Sequence, residues 1–161
     1  MHYYPGVDLV RAELIQASKR QAKVEGLENS FVSVLRGWWK TDDVLLAVGD
    51  RDGFRLEGCS PADEAILLNE LAASGWVTPE RLARERDSVA KTAAKQFLVR
   101  NRLSILVLER GPSLSVLIGL GQGASRRPFT FPQVQTLREF AAIIESCLLY
   151  TSPSPRDQRG S

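Results

Sequence analysis

Apolar positions switch between a helical and an alternating spacing along the chain, and the switches lay out its elements. Leu27, Phe31, Val34, Leu35 and Trp38 recur at i, i+4, i+7, i+8 and i+11, one face of an amphipathic helix. Upstream, Val10, Leu14, Ile15 and Ala22 carry a weaker stripe, with Asp8 placed to cap its start after Pro5-Gly6 and Gly26 as a bend. The run VLLAV at 44–48 is almost wholly apolar, as a central strand is. Asp52-Gly53 then signals a turn, and Phe54-Arg55-Leu56-Glu57 alternates, so the pattern predicts a first hairpin.

Helix punctuation dominates the middle of the chain. Ser60-Pro61 followed by Asp63 supplies a capping hydroxyl, a proline at the first helical position and an acid in the first turn. The helix it opens carries Ile66, Leu67, Leu68 and Leu71 and stops at Gly75. Thr78-Pro79 opens a short polar helix by the same logic, and Ser88 caps another with Val89, Ala93 and Phe97 on its buried side. Two apolar runs, 105–108 and 114–118, flank Gly111-Pro112 and predict a second hairpin. After a polar loop at 121–127, Thr130 and Gln133 form a capping box for a helix striped by Val134, Leu137, Ala141 and Ile144.

That last helix is still running at Ser146, where the character of the sequence changes. Residues 147–157, CLLYTSPSPRD, are identical to one reading frame of the adapter that transposase-based library preparation attaches to DNA fragments. The reading is therefore of a single domain over 1–146, cut within a helix, and a non-native tail over 147–161 whose residues from Thr151 onward are expected to be unstructured. Setting the tail aside removes Arg156, Asp157 and Arg159, so the formal charge of +2 falls to +1. The basic pI then argues nothing for nucleic acid, and the charges are interspersed as on a solvated surface.

Little catalytic raw material remains. Cys59 is the single cysteine outside the tail, so no internal disulfide or thiolate metal site is expected, and His2 is the only histidine. No secretory signal and no apolar run near the ~20 residues of a membrane helix is present, and the reading is of a soluble, cytoplasmic chain without membrane contact.

The order of elements is similar to that of a GAF domain over roughly residues 9–146. The likeness is sharpest at the end, where two apolar strands precede LIGLGQGASRRPFTFPQVQTLREFAAIIES; a PAS domain is the nearest structural confusion. The resemblance implies an α+β fold, a GAF/profilin-like antiparallel sheet with the N- and C-terminal helices on one face and the helical excursion 61–102 on the other. It implies a small-ligand pocket between sheet and excursion, for which Phe54, Trp76 and Phe97 are the candidates. It also implies a dimer helix, for which the stripe Val134, Leu137, Ala141 and Ile144 is the candidate.

The other motifs weigh towards bland readings. Gly119-Leu-Gly121-Gln-Gly-Ala124 satisfies G-x-G-x-x-A after a strand, but no helix is signalled before Thr130, so these are turn glycines. Arg126-Arg127 reads as a solvated pair, Trp38 as core, and Trp39 as cover for the sheet edge or a partner contact. Cys59 reads as a small filler, and Asp42-Asp43 and Asp63-Glu64 as solvated or dipole-favoured acids. The expectation is a regulatory domain of a larger signalling protein such as a sensor kinase, non-enzymatic and without cofactor or nucleic-acid partner. Its alternative is a ligand-free interaction domain that is GAF- or PAS-like.

Overall fold

The computed structural model of the protein describes residues 6–20 and 24–151. Among them the fold is α+β, with α1 (Val7–Arg20), α2 (Val24–Trp39), β1 (Val44–Gly49), α3 (Pro61–Ala72), β2 (Trp76–Val77), α4 (Pro79–Arg84), α5 (Val89–Arg100), β3 (Ile105–Arg110), β4 (Ser115–Leu120) and α6 (Phe131–Thr151). The strands form one antiparallel sheet in the order β1-β4-β3-β2. β3 and β4 make the hairpin expected across Gly111-Pro112, with Ile105 opposite Leu120 and Arg110 opposite Ser115. β1 lies along the other side of β4, with Val44 opposite Leu120.

Strand alternation sorts the sheet into two faces, each with its own core. Ile105, Val107, Val116, Ile118 and Leu120 pack with Leu14, Phe31, Leu35, Trp38 and Phe140 of the terminal helices. Leu106, Leu108 and Leu117 face the other way, onto Leu67, Leu71, Leu82, Ala94 and Leu98 of α3, α4 and α5. A sheet covered on both faces explains why β3 and β4 read as nearly continuous apolar runs. No helix among the described residues is long and apolar enough to cross a membrane.

Several boundaries differ from the sequence pattern. The first helical region is two elements, α1 and α2, and Gly26 is no bend: it lies inside α2, where its carbonyl accepts Ser30 Oγ at 3.0 Å. Asp8 sits within the first turn of α1 and pairs with Arg11; Ala22 lies outside the described residues. The caps at Ser60, Thr78 and Ser88 are formed as expected, each hydroxyl accepting the third helical amide.

The first hairpin is absent, and Glu64 is the reason. Beyond the turn closed by the Asp50–Gly53 bridge, residues 54–57 pair with no strand. The buried Glu64 carboxylate instead accepts the backbone N–H of Phe54 at 3.1 Å and of Leu56 at 2.8 Å. Gly53, at φ +104°, lies so close that a Cβ there would stand 2.6 Å from Glu64 Oε2. The alternation of Phe54 and Leu56 therefore records burial in a tethered loop, and Glu64 is no merely solvated acid.

At the other end α6 continues past Ser146 to Thr151, and Leu148 is fully buried in the core with the terminal helices. The expectation that the segment from Thr151 packs on nothing falls on described residues only at Thr151, which closes the helix; 152–161 lie outside them.

Candidate binding cleft at the end of the sheet

The three residues expected to line one pocket do not converge. Phe54 and Phe97 belong to the core between sheet and excursion, whereas Trp76 faces the opposite layer, 6.5 Å from Phe131. The guanidinium of Arg81 lies 4.8 Å from the Trp76 ring and bonds Glu85 through Nε at 2.8 Å. Between sheet and excursion the space is filled by leucines, and the recess beside Cys59 and Phe97 measures about 40 Å³. That is room for a few waters, not for a metabolite.

The proposed dimer stripe is also placed inside the domain. Val134, Leu137, Ala141 and Ile144 are at most 1 % exposed, packed on the chain's own sheet, and offer no surface to a second copy. Trp38 is core, 5.0 Å and edge-on to Phe140. Trp39 is buried as well, its ring stacked on Phe129 at 3.9 Å, so it does not face outward to a partner. The glycines at 119–123 precede no helix; the next begins at Phe131.

A cavity of about 680 Å³ opens instead where α5 ends against the starts of β1 and β3 and the end of β4. One wall is a stripe of α5 and its cap: Lys95, Leu98, Val99 and Arg102 at i, i+3, i+4 and i+7. The helix is closed by the paired bonds of a Schellman end, Arg102 N–H to Val99 O at 3.2 Å and Leu103 N–H to Leu98 O at 2.8 Å. Arg102 therefore occupies the left-handed position, φ +58°, that glycine usually fills at such an end. Pro79 of α4 and Ser104 of the β3 approach complete that side.

The facing wall is Asp43 and Gln122, brought together by Gly121. Gly121 donates its N–H to Asp43 O at 2.7 Å, and a Cβ on it would stand 2.6 Å from Asp43 Cβ and 2.8 Å from Arg102 O. Only a residue without a side chain lets the two walls approach so closely. The Asp43 carboxylate and the Arg102 guanidinium make no hydrogen bond or ion pair, with each other or with another described residue. Lys95 bonds the exposed Asp87 at 3.0 Å. The cleft thus sets two opposite charges, neither paired with another described residue, beside the exposed Val99. No sequence pattern announces it, because Asp43, Arg102 and Gln122 are brought together only by the register of the sheet.

Titratable groups elsewhere have structural explanations. Burial, then Asp63 and Glu64, push the Cys59 thiol up, which disfavours a nucleophilic thiolate. Hydrogen bonds from Lys91 and Arg81 hold Glu85 below its ordinary range. Burial and, second, Glu109 raise Glu145, whose Oε1 has no hydrogen-bond partner. Among the described residues no cluster of three or more histidine, cysteine or acidic side chains is placed to hold a metal ion. The chain matches no protein-family model and no curated protein.

Proposed function

We propose that the chain is a regulatory binding domain of GAF-like type, which takes a small effector in the cleft at the end of the sheet and does no chemistry of its own. The cleft carries the reading: about 680 Å³ lies within the range of small-molecule sites, and its lining mixes apolar residues with Asp43, Lys95, Arg102, Ser104 and Gln122. The layering supports the family likeness, since the terminal helices cover one face and the excursion α3–α5 the other. An effector in the cleft would contact α5 and the sheet at once, so it would bias the excursion's position against the sheet.

Val99 is 78 % exposed and lines the cleft, so Val99→Trp is expected to plug it without disturbing the core. Metabolites that raise the melting temperature of the unaltered chain are expected to lose that effect on the variant. Equal stabilisation of both proteins would remove the cleft from the account.

The filled interior between sheet and excursion favours a second reading, a ligand-free interaction domain. On that reading no metabolite shifts either protein, and binding is to another polypeptide.

A further inference from the structure

Asp43 and the backbone of Arg102 both close on Gly121, and the two residues carry opposite charges, line the same cleft and pair with no other described residue. We propose that the cleft selects a small zwitterion with an aliphatic body, the chemistry of a free amino acid or a short peptide. This rests on the reading of the cleft as an effector site.

Arg102 takes the acidic group. Arg102 is exposed, lines the cleft and makes no hydrogen bond or ion pair with another described residue. Lys95, on the same wall, is already paired with Asp87. Asp43 takes the ammonium from the opposite wall, where the carboxylate is only partly exposed and unpaired. The exposed Val99 supplies the surface for the aliphatic part. A ligand with one charge can pair with only one of these groups, whereas a zwitterion can pair with both.

Calorimetric titration of the full 161-residue chain tests this with four matched probes: L-leucine, L-leucyl-L-leucine, 4-methylpentanoate and 3-methylbutylamine. At least one of the two zwitterions is expected to bind about tenfold tighter than either singly charged analogue, a difference of one charge-assisted contact. Whichever of the two binds tighter distinguishes amino acid from peptide. Asp43→Asn is expected to abolish the preference over 4-methylpentanoate, and Arg102→Gly the preference over 3-methylbutylamine. Both variants keep the fold, since neither side chain has a structural partner and glycine suits the backbone at 102. If 4-methylpentanoate or 3-methylbutylamine binds as tightly as the zwitterions, or if Asp43→Asn changes nothing, zwitterion selection is overturned while the cleft stands. If none of the four binds, zwitterion selection is overturned too. The cleft itself fails separately, when stabilising metabolites act equally on the unaltered chain and on Val99→Trp.

Discussion

Two carboxylates show how far a residue's role depends on what its neighbours leave it. Glu64 belongs to an Asp-Glu pair in the first turn of α3, where an acid needs no explanation beyond the helix dipole. Its carboxylate nevertheless holds the backbone of Phe54 and Leu56, and removing it strands two amide donors in a buried setting. Glu64→Ala is expected to cost about 2–3 kcal/mol, read as a lowered urea midpoint with an unchanged slope. Glu145 is the opposite case, buried with one oxygen unanswered and Glu109 nearby. Its carboxyl titrates above the ordinary range in the fold, so the fold favours the protonated form. Stability from this group is present below the unfolded carboxyl's value and is lost as pH rises through the folded one. Glu145→Gln is therefore expected to melt higher than the unaltered chain near neutral pH, with the gap closing in acid. A gap independent of pH would refute that account.

At the scale of elements, what was legible in the sequence was what local chemistry decides. Ser60, Thr78 and Ser88 open their helices as their hydroxyls and prolines predict, and Thr130 and Gln133 exchange both capping-box bonds, at 2.9 and 3.4 Å. The second hairpin was legible because two apolar runs flank a strong breaker. The first is not formed, because alternation reports burial on one side, which a loop tied to Glu64 satisfies as well as a strand does. β2 escaped notice because two residues carry no pattern, and its pairing with Val107 and Leu106 comes from the tertiary fold. The end of α5 gives a direct check: Arg102→Gly relieves a left-handed arginine and is expected to add about 0.5–1 kcal/mol, measured by thermal unfolding. α6 gives another. Leu148 lies beyond the point where the sequence changes character but within the core, so Leu148→Ala is expected to cost about 2–5 kcal/mol. A neutral result would place the functional end of α6 before it.

For the whole molecule, burying the sheet on both faces settles which surfaces remain for function. The apolar stripe of α6 closes the core and leaves none of Val134, Leu137, Ala141 or Ile144 for a partner. The space between sheet and excursion is closed by leucines. The corner where α5, β1, β3 and β4 end together stays open, with charged groups at its rim. No periodicity announces such a corner, because Asp43, Lys95, Arg102 and Gln122 meet only through the register of three strands. Backbone amide shift mapping of the full chain with its stabilising metabolites tests this most directly. The amides of Asp43, Lys95, Val99, Arg102 and Gln122 are expected to shift together, with those of the α6 stripe unmoved. Shifts concentrated on another surface, with these five silent, would contradict it.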